Sequence, residues 1–525
     1  MRTPGDEVVA QSTAATVPCV KEARTWVLVA TILGSSMAFI DGTVVNVALP
    51  ALQASFHATV VDLQWVVESY GVLLAALILV GGSFGDRFGR RRIFVAGVLI
   101  FALASAGCGL ASSIHQLIVA RSIQGVGAAL LVPGSLAIIS TSFDEKSRGR
   151  AIGTWSGFTA ITTAIGPVLG GWLVEHASWR WVFFLNLPIA AAVVAISLWR
   201  IPESRSASAG RIDWPGTILA ILGLGSLVIG FVESVSLGWG NPLVFGGLTI
   251  GVTCLIGFVF VEAASTSPTL PLALFKSRSF SGANLLTLFL YAAIGIFFFL
   301  FPLNLIQVQG YSTTATGAAV LPLILLMFFL SRWSGGLVAR YGSRAPLIVG
   351  PLIVAFGFAL FAVPSIGADY WREFFPAVMV LGFGMAVAVA PLTTVVMNSA
   401  TRDRAGTASG INNAVARVAS VLAIAVLGIV MVKAFASKLD PSLAHLRLPP
   451  GVLAELQANE TKLAGLQVPS GLSPDMKAGI SGSIREAFVF GFRVVMLICA
   501  GLSLGSAAVT WFWIPKDRDR PKLRL

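Results

Sequence analysis

Gly81-Gly82-Ser83-Phe84-Gly85-Asp86-Arg87-Phe88-Gly89-Arg90-Arg91-Arg92 begins in the last turn of one apolar run, 64–84, and ends against the next, 93–111. Each run is close to 20 residues, the length at which a helix rising 1.5 Å per residue crosses a hydrocarbon core about 30 Å thick. Outward from this hinge the same alternation repeats. Apolar runs fall at 26–49, 116–141, 151–175, 181–199, 217–233 and 244–262, then at 281–305, 316–337, 346–365, 374–397, 407–434 and 487–514. Of the 525 residues 56% are hydrophobic and only 11% charged, whereas a soluble domain carries about 25% charged residues to face water. Barrel strands would be about 10 residues long with alternating polarity, and these runs are neither. The chain is expected to be an all-α membrane protein with fourteen transmembrane helices.

The net charge of +12 would suit a nucleic-acid partner if it formed a surface patch, but it flanks the apolar runs as topology signals do. About 24 of the 36 Lys and Arg lie in the N-terminal tail and at 87–92, 146–150, 200–211, 276–278, 340–344, 402–404 and 516–524. The short loops on the other side keep only Arg180 and Arg372, and a further five sit in the long segment 436–485. That asymmetry predicts cytoplasmic termini and an external 436–485, and an even number of spans agrees with it. The first 24 residues hold Asp6, Glu7 and Glu22 without an early apolar core, so they read as a tail, not a signal peptide. Leucines 453, 456, 463 and 466 predict a short amphipathic helix over the external mouth.

The hinge recurs. Val338-Ala339-Arg340-Tyr341-Gly342-Ser343-Arg344 occupies the same place 253 residues after Gly85, with Ala339 where the first copy has Asp86. A second basic loop, Arg148-Gly149-Arg150, is matched at a similar offset by Arg404-Ala405-Gly406. Two six-helix halves related by a parallel repeat are a common construction among secondary transporters. The expected organisation is a tail 1–25, a first half 26–199, a two-helix insertion with linkers 200–280, a second half 281–514 and a tail 515–525.

Few groups could carry chemistry inside the spans. Asp41 and Glu68 are the carboxylates clearly within them; Glu175, Glu233, Glu262 and Glu486 sit at ends, and all four histidines fall in external segments. Arg121 and Arg417 are the deep cations, the latter with Asn413 and Ser420 on its face. An Arg within a span costs about 2.5–3.5 kcal/mol on insertion scales, so each should face a cavity or a partner unless it snorkels. Asp41, Glu68 and Arg121 lie at similar depth, which suggests Asp41 as proton carrier, Glu68 assisting, and Arg121 as counter-charge. The four cysteines are widely separated, and no metal or cofactor spacing is present. H-E-x-x-H and P-loop patterns are absent, which argues against an enzyme and against ATP drive. Small molecules, protons and lipid are the expected partners; a receptor or scaffold would need neither repeat nor deep charges.

Four motifs in order then carry a resemblance. The hinge, with Gly85, Asp86, Arg87, Gly89, Arg90 and Arg91, resembles the cytoplasmic gating loop of the major facilitator superfamily. The stretch Leu117–Ala129 around Arg121 is similar to its fourth-helix motif, and Gly166-Pro167-Val168-Leu169-Gly170-Gly171 to its antiporter motif, though Thr162 replaces an earlier glycine. Ile40-Asp41-Gly42-Thr43-Val44-Val45-Asn46-Val47-Ala48-Leu49-Pro50 resembles the first-helix signature of the fourteen-span drug:proton antiporters, with Ile40 where Leu is usual. The resemblance implies the major facilitator fold with two inserted helices, in a bacterial inner membrane. It implies proton-driven export of amphiphilic compounds. Physically, Asp86 can cap the next helix or pair with an Arg across the seam between the halves, latching one side shut. The carboxylates favour a cationic cargo and Arg417 an anionic or zwitterionic metabolite or lipid, and the sequence leaves both open.

Overall fold

The computed structural model describes residues 21–143, 145–205, 213–265, 268, 270–399, 405–446 and 448–515. The basic loop residues 402–404 fall outside them. Fourteen helices among the described residues are long and apolar enough to cross a membrane: α1 (Arg24–Phe56), α2 (Val60–Ile78), α3 (Arg90–Leu110), α4 (Ile114–Ser142), α5 (Ala151–His176), α6 (Trp181–Arg200), α7 (Trp214–Leu237), α8 (Pro242–Ala264), α9 (Arg278–Val308), α10 (Thr313–Ser331), α11 (Arg344–Phe361), α12 (Tyr370–Asn398), α13 (Thr407–His445) and α14 (Pro474–Trp513). Helix is the natural state of such runs, since hydrocarbon offers no partner for a free N–H or C=O. Their starts are set by polar caps. Thr59 and Asp62 close a reciprocal capping box on α2, Ser113 accepts from Gln116 N on α4, and Ser473 accepts from Met476 N on α14.

Several helices outrun their apolar runs. The helix of α1 passes through Pro50 to Phe56, so Asp41 stands near its middle. A proline removes one hydrogen bond, and continuing past it leaves fewer backbone groups unpaired than stopping in an apolar setting. The helices of α13 and α14 are 41 and 40 residues long, about 60 Å at helical rise, and so project well beyond a bilayer.

Helices α1–α6 pack together as one half and α9–α14 as the other, with α2 against α13 and α5 against α10 at the seam. One end of the bundle carries Arg87–Arg92, Arg200, Arg278 and Arg344 (the basic face); the segment 448–473 lies at the opposite end (the lid face). At the lid face the halves are bonded to each other. Gln64 Nε2 donates to Ile424 O at 2.7 Å, Thr313 Oγ1 to Gly171 O at 2.8 Å, and Thr314 N to the Glu175 carboxylate at 3.0 Å. Away from that face Gly42 on α1 and Asn413 on α13 are exposed, and nothing lies within 4 Å of where a Gly42 Cβ would stand.

The inserted α7 lies over the α2–α13 joint. Val61, Val72, Leu224, Val228, Val232, Val421 and Ala425 form one buried cluster there, and Trp65 Nε1 donates to Glu233 Oε1 at 2.8 Å. Helix α8 packs on α7 and turns Phe245, Ile250, Ile256 and Phe260 outward.

The lid is not the single amphipathic helix expected over 450–466. It is a helix, Pro450–Ala458, followed by a 3₁₀ segment, Glu460–Gly465, in which Leu463 takes φ 52°. That break turns Leu456, Leu463 and Leu466 into the core. Gln53 of α1 ties the lid down: its Nε2 donates to Lys462 O at 2.9 Å, and its Oε1 accepts from Gln307 Nε2 at 2.7 Å. Beneath the lid Gln53, His57, Gln307, Lys462 and Gln467 line a cavity of 270 Å³.

Candidate functional site

Asp41 and Arg121 meet in the middle of the first half. Arg121 Nη1 lies 2.5 Å from Asp41 Oδ2, and both side chains are buried. Arg121 does not snorkel. Its Nε donates to Val66 O at 3.1 Å and its Nη1 also to Gln124 Oε1 at 2.7 Å. Gln124 in turn donates to Asp41 Oδ1 at 2.8 Å and to Ser105 Oγ at 3.3 Å. Ser105 continues the chain, accepting from Asn186 Nδ2 at 2.9 Å and donating to Phe183 O at 2.9 Å. The guanidinium also stacks over the Tyr70 ring, 4.3 Å from its centroid. Five helices (α1, α2, α3, α4 and α6) therefore hold one buried pair in a fixed polar network.

Close helix approach makes the geometry possible. A Cβ on Gly125 would come within 2.5 Å of Tyr70 O, and one on Gly127 within 2.5 Å of Phe101 N. Without a hydrophobic force between helices in lipid, such small residues let backbones pack. Gln124, Ser105, Asn186 and Tyr70 escaped the sequence reading, because neutral polar residues are common in spans. Gln124 alone had a signal: it stands three residues after Arg121, on the same helix face.

Glu68 is not part of this pair. It is fully buried, and both carboxyl oxygens lack a hydrogen-bond partner among the described residues. Its helix neighbours Gln64 and Gly71 face α13, through Ile424 and Val421 respectively, so Glu68 belongs to the seam. Arg417 lies across that seam, half-buried. Among the described residues Asn413 donates only to Ser409 O, one turn back, at 3.1 Å; its neighbour Asn412 bonds Asn284 and Thr287 of α9 at 3.1 and 2.7 Å.

The Gly166–Gly171 motif is a three-helix crossing. A Cβ on Gly166 or Gly170 would strike Thr43 or Val44 of α1, one on Gly171 would strike Thr313 of α10, and the Pro167 carbonyl rests on Gly317. One motif thus abuts α1 of its own half and α10 of the other.

At the basic face Asp86 pairs within its own loop, with Arg90 Nε at 2.9 Å and Nη2 at 2.6 Å. In this conformation the pair stays on one half. Gly89 has φ 115°, and a Cβ there would meet the Glu203 carboxylate at 2.6 Å, so only glycine suits the turn. Glu203 accepts from Arg91 N at 3.1 Å and Arg92 N at 3.3 Å, capping the start of α3 where unpaired N–H groups favour an anion. Gly85 packs on Arg90, while Arg87 is exposed. Among the described residues no three His, Cys, Asp or Glu gather as for a metal.

The sequence profile of the Major Facilitator Superfamily matches residues 31–424. The chain belongs to that superfamily. Multidrug resistance protein Stp of Mycobacterium tuberculosis is 35% identical over 505 residues, covering 93% of this chain and 92% of that one. The tetracenomycin C resistance and export protein of Streptomyces glaucescens is 33% identical over 503 residues, covering 94% and 93%. A solved bacterial homologue of the human lysosomal transporter Spinster, inward-facing and unoccupied, superposes with a TM-score of 0.65 at 18% identity, covering 94% of this chain and 98% of that one. As a superfamily member the chain is a multi-pass integral membrane protein, and its all-helical fold has fourteen spans.

Proposed function

We propose that this protein exports drug-like amphiphilic molecules from a bacterial cytoplasm across the inner membrane in exchange for protons, with both termini cytoplasmic and the lid outside. The observation that carries the proposal is the buried Asp41–Arg121–Gln124 triad, set one helix away from the seam. The names of the relatives, a multidrug resistance protein and an antibiotic export protein, support the cargo class. Asp41 is the proton carrier in this reading. Withdrawal of Arg121 leaves a desolvated carboxyl that favours its proton, and return of Arg121 favours release. Gln124 bonds both partners, so it can follow either arrangement. Glu68 is the second acid: an ionised carboxylate buried without a donor would cost several kcal/mol, so its bare oxygens suit a group that takes a proton when the seam closes. By linkage, a cargo that binds better beside ionised Asp41 must loosen when the proton arrives.

The test is transport in proteoliposomes of purified protein. Asp41→Asn is expected to abolish accumulation driven by a pH gradient while leaving downhill exchange. Unimpaired gradient-driven accumulation by that variant would remove Asp41 from the mechanism.

A further inference from the structure

The far end of the Tyr70 ring is unspent. Its face supports Arg121, but its hydroxyl is buried with no hydrogen-bond partner among the described residues, and the residue is 4% exposed. Buried hydroxyls are normally bonded, so this one points to a ligand. Across the seam a Cβ on Gly71 would come within 2.7 Å of Val421, and Arg417 lies one helical turn before Val421 on the same face. Helix α9 meets the same stretch, where Ser420 Oγ donates to Tyr291 O at 3.2 Å. Tyr70, Arg417 and Tyr291 thus converge where α2, α13 and α9 join, and Arg417 is near enough to both phenols to act on them electrostatically. No hydrogen bond or ion pair joins Arg417 to a described residue. The nearby acids do not supply one: Asp41 is held by Arg121, and the Glu68 oxygens have no partner among the described residues.

We infer that Tyr70, Arg417 and Tyr291 form an oxyanion site across the seam, which takes the carboxylate, phenolate or sulfonate end of an otherwise apolar cargo. The inference rests on the exporter reading above and narrows its cargo. A guanidinium brings up to five N–H donors and the two phenols add one O–H each. A cation would meet an uncompensated charge there, whereas an anion satisfies every member. The site draws Tyr70 from one half and the other two from its partner half, so a bound anion bridges the halves, and separation of α2 from α13 dismantles it. Through the Tyr70 ring it also touches the guanidinium that holds Asp41.

The experiment uses inverted membrane vesicles containing the full chain, an imposed pH gradient and two probes: anilinonaphthalene sulfonate, an aromatic anion, and ethidium, a permanent aromatic cation. Wild type should accumulate the sulfonate. Arg417→Gln should lower that rate about tenfold or more through KM, as expected for loss of a charged hydrogen bond, with ethidium transport unchanged or faster. Tyr70→Phe and Tyr291→Phe, each lacking one oxygen, should raise KM for the sulfonate alone. Equal loss of both probes in Arg417→Gln, with no rescue by Arg417→Lys, would make Arg417 a packing residue and overturn the inference. So would a wild type that moves ethidium but not the sulfonate. A wild type that moves neither probe would instead bring down the exporter reading itself.

Discussion

Arg121 and Asp41 are each other's compensation. Removing one partner of a buried pair leaves a lone charge and costs about 3–5 kcal/mol, whereas replacing both with apolar residues is often neutral. Arg121→Leu is therefore expected to lower the thermal midpoint of the purified protein, and the added Asp41→Leu to restore it without restoring transport. Recovery of stability without recovery of function is the pattern that separates a working pair from a structural one. On the lid, Glu460 offers a second residue-scale test. Burial, then its hydrogen bond to Asp440 and that group's charge, push its carboxyl up to about 7. The docked lid thus holds the proton more tightly than a freed lid would. Docking is unopposed below the ordinary glutamate range, is increasingly opposed as pH rises from there to about 7, and the opposition levels off above that. Trypsin cleavage after Lys462 should speed up between about pH 6 and about pH 8.5, relative to an unfolded control, and Glu460→Gln should flatten that rise. Asp41, Glu68, Arg121 and Arg417 were legible in the sequence because charge inside an apolar run is costly and therefore conspicuous. Their partners were not: Tyr70 and Gln124 gain meaning only once α2 and α4 cross.

For the elements, the sequence pattern located every span, since run length and flanking charge are one-dimensional signals. What it misjudged were ends and breaks, where packing decides. The helix of α1 overran its apolar run by a full turn and more because Pro50 bends a helix without obliging it to stop. The lid split at Asn459, although its leucines kept helical spacing, because three of them had to reach one buried surface. The crossing of α5 and α10 gives the sharpest test. Gly317 lies directly on the Pro167 carbonyl, and overpacking of this kind costs about 1–3 kcal/mol. Gly317→Val should push the halves apart at the lid face and raise the reactivity of Ala58→Cys toward an impermeant maleimide. Gly225→Val, at a glycine with nothing within 4 Å, should not. At the basic face, Asp86→Asn or Arg90→Ala is expected to change turnover at normal membrane levels. Unchanged turnover in both would reduce the loop to a topology signal.

Across the whole molecule, the proposed orientation rests on the charge asymmetry of the loops. A cysteine at Ser470 should label from outside the cell; labelling at Ser208, which lies outside the described residues, would invert the assignment. The conformation itself sets the last consequence. Gln53 holds the 3₁₀ segment and α9 at once, over a cavity that both halves help to line. Any ligand seated in that cavity would be glued to both halves together, and would have to depart before this face could part. In the orientation proposed above, an inhibitor built for it would arrest the pump from the medium, without ever entering the cell and without offering itself to the export path.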